Sequence, residues 1–202
     1  MPLLLAWPTV ARAWVAIATG LALASLLLWF APREALDWQP QRALAQPWRW
    51  WSAAFVHWSP LHLAANLLGS VVVAAFGIAA RVPRHAAWAW LAAWPLTHAA
   101  LAWQPLLLNY GGLSGVLHAG VAVAALHLAW REQGRRRAIG WAVLAGLGVK
   151  LALERPWAGP TQQVAGWDFA IAPLAHLTGA VAGLLCGAVA EAVASRRTAP
   201  RR

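Results

Sequence analysis

The sequence predicts an all-α, polytopic membrane protein built as a bundle of six spanning helices. Three observations carry that expectation. Charged side chains make up only 11% of the 202 residues and apolar ones 61%, against about 25% charged in an ordinary soluble domain. That is too few charges to coat a sphere of this mass, so lipid must solvate much of the surface. Sixteen residues are Trp, a side chain that favours the membrane–water interface, where a large ring meets a wet edge. Long stretches also carry no formal charge, including all of His85 to Trp130, and a spanning helix needs roughly 20 mostly apolar residues.

The spans follow in order. Ala13 to Phe30 is free of charge and reads as the first, ended by Pro32, Arg33, Glu34 and Asp37. No A-x-A-like cleavage site follows it, so it is expected to be a retained anchor. The Trp-, Gln- and Pro-rich stretch to Trp51 reads as a structured interfacial loop. Ser52 to Ala80 is the second span, its helix starting near Pro60 and closing at Arg81, Pro83 and Arg84. The next uncharged run holds a third span over 85–103 and a fourth over 114–130. Between them lie the turn formers Gln104, Pro105, Asn109, Tyr110, Gly111 and Gly112. Arg131 to Arg137 forms a basic loop, and a fifth span covers 138–153, with Lys150 able to snorkel to the interface. Glu154 to Gly166 is a further loop, 169–193 the sixth span, and 196–202 a basic tail. Residues 1–195 are thus expected to form one membrane domain.

The formal net charge of +10 does not point to nucleic acid. That footprint needs a clustered basic face, whereas here the Arg residues fall between apolar runs. Six spans place both termini on one side, together with 11 of the 16 Lys and Arg. The positive-inside rule makes that side the cytoplasm. The 31–51, 104–113 and 154–167 loops then face outward. The one cysteine, Cys186, excludes an internal disulfide, and no internal repeat suggests an inverted-repeat transporter.

Polar groups inside a membrane are costly and invite a functional reading. Three places qualify. His62 and Asn66 lie four residues apart on one face of span two; both can donate hydrogen bonds, either as glue between helices or toward a ligand. Gly111-Gly112-Leu113-Ser114-Gly115 opens span four. Its glycines permit a tight turn and close backbone approach. Ser114 there is either an N-cap or a nucleophile beside free backbone N–H groups that can hold an oxyanion. His176 lies in span six on the face of Gly179 and Gly183, a groove that another helix can enter. It is either a satisfied core histidine or a base for that Ser.

Depth favours the combination. Ser114 starts span four from the outer side, His62 lies near the outer start of span two, and a sixth span starting at Phe169 puts His176 ~10 Å below its head. No acid is placed to complete a triad. The acids are Glu34, Asp37, Glu132, Glu154, Asp168 and Glu191, and Asp168 would stand ~12 Å up the axis from His176. The expectation is a Ser114–His176 dyad, in which His176 takes the Ser114 proton and returns it to the leaving amine.

The order H-x-x-x-N (His62, Asn66), G-x-S-G (Gly112 to Gly115) and A-H-x-x-G-x-x-x-G (Ala175 to Gly183) resembles the rhomboid intramembrane serine proteases. Trp48-Arg49 and His57 add to the likeness. The resemblance implies a six-helix rhomboid-like bundle with Ser114 as nucleophile and His176 as base. It also implies an oxyanion hole of the Ser114 N–H, His62 and Asn66, a first outer loop half in the membrane, and a fifth span acting as lateral gate. His118 stands where many rhomboids carry a Tyr packed on the catalytic His. It could pack on His176, bind substrate or fill core; Gly112 is the other candidate for substrate binding or support. G-L-S-G-V-L-H (Gly112 to His118) and the small size are similar to the bacterial rhombosortase branch. That likeness implies transmembrane protein substrates with C-terminal Gly-Gly tails, processed at the outer face of the bacterial inner membrane. No cofactor or metal is expected. The alternatives are a non-catalytic rhomboid-fold escort of membrane proteins, and a haem or metal membrane protein drawing on the seven His.

Overall fold

Apolar runs form helices here, and Pro, Gly and local caps set their ends. The computed structural model describes residues 11–104 and 106–198. Among them are six helices of 16 or more residues: α1 (Arg12–Leu27), α2 (Pro60–Ala79), α3 (Arg84–Ala99), α4 (Ser114–Arg131), α5 (Gly134–Glu154) and α6 (Pro173–Thr198). No strand occurs among the described residues, only isolated bridges pairing Trp38 with Tyr110 and Gln162 with Ile171. Three helical stretches, Arg12–Phe30, Pro60–Ala79 and Pro173–Arg196, are long and apolar enough to cross a membrane.

The helix ends have local causes. The Ser59 hydroxyl accepts the His62 N–H at 3.1 Å and Pro60 occupies the first turn, so α2 starts at Pro60, where the sequence places the start of the helix. Residues 49–52 and 53–55 form separate short turns. α3 stops at Ala99 and gives way to a 3-10 turn over 100–103. α5 begins at Gly134, four residues earlier than the sequence suggests. The Arg135–Arg137 triplet is therefore helical, and Arg136 reaches Glu132 at 3.0 Å and the Ala80 carbonyl at 3.0 Å. α5 ends where Arg155 takes a left-handed conformation (φ 51°). α6 starts at Pro173, not Phe169: a proline disfavours helix at the residue before it, and the Gln162–Ile171 bridge holds the chain extended. Residues 196–198 continue α6, and the rest of the expected tail, 199–202, lies outside the described residues, as does Pro105.

α4 is the central helix, touching α2, α3, α5 and α6. Against α6 it packs backbone to backbone. A Cβ on Gly115 would press the Ala175 carbonyl, one on Gly179 would collide with the Gly115 carbonyl, and one on Gly183 with that of Ala119. Behind α4, Trp14 and Trp90 lie 4.4 Å apart. Their indole N–H groups donate to Val73 O (2.9 Å) and Val116 O (2.7 Å), so neither buried ring leaves a donor unpaired.

The loop between α1 and α2 is organised by Arg49, which is buried. It donates to Asp37 Oδ1 at 2.8 Å, to Gln46 Oε1 at 2.6 Å and to the Glu34 carbonyl at 2.8 Å. Burial pushes the Asp37 carboxyl above its ordinary value, opposed by the Gln39 hydrogen bond and the Arg49 charge. Trp48, beside it, stays half exposed and donates to the Ala35 carbonyl at 3.0 Å.

Candidate active site

The α4–α6 crossing brings two of the predicted residues together. Gly112, before α4, has φ +140°, a conformation side chains rarely adopt, and a Cβ there would meet the His62 ring at 2.8 Å. Its N–H donates to the Ala53 carbonyl (3.0 Å) and its carbonyl accepts from the Tyr110 hydroxyl (3.0 Å). The turn so held delivers Ser114 as the first residue of α4, where Leu113, not Ser114, is the N-cap. The hydroxyl instead lies 2.9 Å from His176 Nε2. His176 is three residues inside α6, so it sits ~4.5 Å below the helix head rather than the ~10 Å expected from a start at Phe169.

His62 accepts the Trp58 N–H on Nδ1 at 3.2 Å. Its proton is therefore on Nε2, the nitrogen that faces Gly112. Asn66, one turn along, donates to the His62 carbonyl at 3.2 Å, and both side chains are buried. His118 stacks on His176, with ring centroids 4.3 Å apart and planes 11° from parallel, while its Nδ1 lies 2.7 Å from the Ser114 carbonyl. His118 also lines the cavity that holds Ser114 and His176. His57 precedes α2, and burial holds it well below its usual value, at about 4.

The sequence reading that no acid reaches His176 is overturned. Glu154 Oε2 lies 2.9 Å from His176 Nδ1, and Lys150 Nζ lies 2.6 Å from the other oxygen of that carboxylate. By sequence alone Lys150 reads as a span-end residue and Glu154 as the start of a loop. Two residues of the 155–172 segment also reach the site, in places the sequence does not give them. Phe169 stacks on the His62 ring at 4.0 Å and 14°. Asp168 accepts the Ser59 hydroxyl at 2.6 Å, fastening the 155–172 segment over the head of α2.

These groups line one cavity of about 990 Å³. Ala65, Gly69 and Val72 of α2 form one wall and Val143, Gly146 and Leu147 of α5 another, with His62, Asn66, Ser114 and His176 between them. A hydroxyl, an imidazole acceptor, an opposed N–H donor and an apolar cleft suit nucleophilic attack on an extended chain. The other histidines lie elsewhere. His98 is fully buried, with Nδ1 2.8 Å from the Trp50 carbonyl. His85 and His127 converge on Glu191 Oε1 at 3.1 and 2.7 Å.

Compared with known families, residues 44–192 match the family model described as the Rhomboid domain. No curated protein matches the chain significantly.

Proposed function

The chain belongs to the rhomboid family, and on that footing we propose that it is an intramembrane serine endopeptidase with Ser114 as nucleophile and His176 as base. The observation that carries the reading is the 2.9 Å contact between Ser114 Oγ and His176 Nε2 inside a cavity walled by α2 and α5. His176 takes the hydroxyl proton as Oγ bonds to the scissile carbonyl carbon. The oxyanion that forms is met by the Ser114 N–H, which as the first residue of a helix has no partner below it, and by His62 Nε2–H and Asn66. Collapse breaks the C–N bond, and His176 passes its proton to the leaving amine. Water, deprotonated by the same imidazole, then releases the acyl chain and restores Ser114.

The substrate reading is a membrane-anchored protein cut near the outer face, with a C-terminal Gly-Gly tail as the segment removed. The topology reading is a six-span protein of the bacterial inner membrane, with both termini cytoplasmic and α5 as the wall through which a substrate helix enters. A fluorophosphonate, which phosphonylates activated serines, tests the chemistry. Labelling is expected in the wild type and lost in Ser114→Ala; equal labelling of both would overturn the reading and leave a non-catalytic escort. His62→Ala is expected to slow cleavage about 100- to 1,000-fold, the usual cost of one oxyanion donor. Measured cleavage rates with helical content unchanged check it.

A further inference from the structure

We propose that Glu154 is the positioning residue of a Ser114–His176–Glu154 relay, fixing the His176 proton on Nδ1 so that Nε2 is free to accept from Ser114. The inference rests on the serine-protease reading above and adds the acid that a dyad lacks.

The two ring nitrogens of His176 are each held at 2.9 Å, Nε2 by the Ser114 hydroxyl and Nδ1 by Glu154 Oε2. A carboxylate accepts and does not donate. Nδ1 must then carry the proton, and Nε2 is left as the acceptor. A neutral imidazole without such a partner also populates the form with the proton on Nε2, which cannot take one from Ser114. The carboxylate further stabilises the imidazolium formed when His176 accepts the Ser114 proton. A ring nitrogen of His118 also comes within 4.8 Å of a Glu154 carboxylate oxygen, but the His118 Nδ1 proton goes to the Ser114 carbonyl, which can only accept. His62 Nδ1 is held by the Trp58 N–H and His118 Nδ1 by the Ser114 carbonyl.

Glu154 is itself held. Its second oxygen is 2.6 Å from Lys150 Nζ, one turn back on α5, and the helix ends immediately after it. α5 packs closely on α4 at its inner end, where a Cβ on Gly140 would meet the Ala129 N and Ala125 carbonyl. Gly146 and Gly148, by contrast, face open space. At the outer end Leu147 and Leu151 share a small apolar cluster with Leu177 and Ala180, and the Glu154–His176 contact lies next to it. The carboxylate is therefore in place only while the outer end of α5 rests against α6, so a substrate helix that displaces α5 also loosens the base.

The test uses the full chain, purified in detergent, with a fluorophosphonate as probe. Maximal labelling rate and half-saturating probe concentration are measured for wild type, Ser114→Ala, Glu154→Gln and Glu154→Ala. Glu154→Gln keeps the shape, loses the charge, and can offer its NH₂ to Nδ1, favouring the wrong tautomer. The maximal rate is expected to fall about 100-fold or more, toward the ~10⁴ cost of removing a triad acid, with the half-saturating concentration changed less than about threefold. A mere helix-end ion pair with Lys150 would lower the melting temperature without that split. Nitrogen-15 NMR of labelled histidine in the wild type gives a second readout that no variant can spoil: His176 is expected to carry its proton on Nδ1 when neutral. Glu154→Gln labelling at a maximal rate within about threefold of wild type, or a wild-type His176 protonated on Nε2, overturns the proposal. Should Ser114→Ala label as well as wild type, the protease reading itself fails. Loss in Ser114→Ala with full labelling in Glu154→Gln removes only the relay.

Discussion

His176→Ala is expected to abolish cleavage of a co-expressed, membrane-tethered substrate, by on the order of 10⁴-fold or more, while leaving the helices in place. The reason is that, among the described residues, His176 is the imidazole whose nitrogen meets the Ser114 hydroxyl, with Nε2 at 2.9 Å. His118, the next imidazole, has its Nδ1 on the Ser114 carbonyl and its ring face on His176 rather than a nitrogen aimed at Oγ. An alcohol at its ordinary pKa is a poor nucleophile, so the rate falls to what the oxyanion donors and binding alone supply. Ser114→Ala should fall as far, and the double variant no further, because groups that act as a unit are not additive. Mass spectrometry of the C-termini of a Gly-Gly-tailed substrate, expressed beside each variant, reads the result. Retained cleavage in either single variant would sink the Ser114–His176 assignment.

Part of this site is legible in the sequence because polarity is conspicuous where lipid is the solvent. His62, Asn66, Ser114 and His176 interrupt largely apolar runs, with few other polar residues beside them, among them Ser70, His118, His127, Thr178 and Glu191, and the i, i+4 spacing alone places the first two on one face. The glycines at 179 and 183 foretell a close helix neighbour, and α4 is that neighbour. Glu154 could not be found the same way. It sits at a helix end among polar and Pro/Gly-rich residues, where an acid has no cost and so no signal. Its contact with His176 depends on how the 155–172 segment folds back. The head of α6 was misplaced because Phe169 to Ala172 is as apolar as the helix that follows. Pro173 was the available clue, since helices favour proline in their first turn and disfavour it after a helical residue. The start of α5 was misplaced for the opposite reason: Arg135 to Arg137 reads as loop by charge, yet arginine is a good helix former.

Gly179→Val is expected to lower the cleavage rate on the order of 10³-fold or more, although Gly179 touches no reacting group. A Cβ at this position would overlap the Gly115 carbonyl, carbon and Cα, all of them backbone and none able to rotate away. The overlap can be relieved only if α4 and α6 move apart at this level. Gly115 adjoins Ser114, and Gly179 is one turn from His176 on the same side of α6. The displacement is therefore transmitted to the 2.9 Å Ser114–His176 contact itself. Misplacing reacting groups by ~1 Å can cost about 100-fold; the overlap here is larger than that, and a branched side chain adds to it. Gly183→Val meets the Ala119 backbone in the same way but lies a further turn from the site, so its effect on rate should be smaller while its cost in stability is similar. Gly148→Val, on α5 but outside the cavity lining, has no such neighbour and should leave the labelling rate of Ser114 closest to that of wild type. Fluorophosphonate labelling, read beside thermal stability for the three variants, checks the ranking. A Gly179→Val protein that labels as fast as Gly148→Val would mean that backbone contact between α4 and α6 does not set the distance between Ser114 and His176.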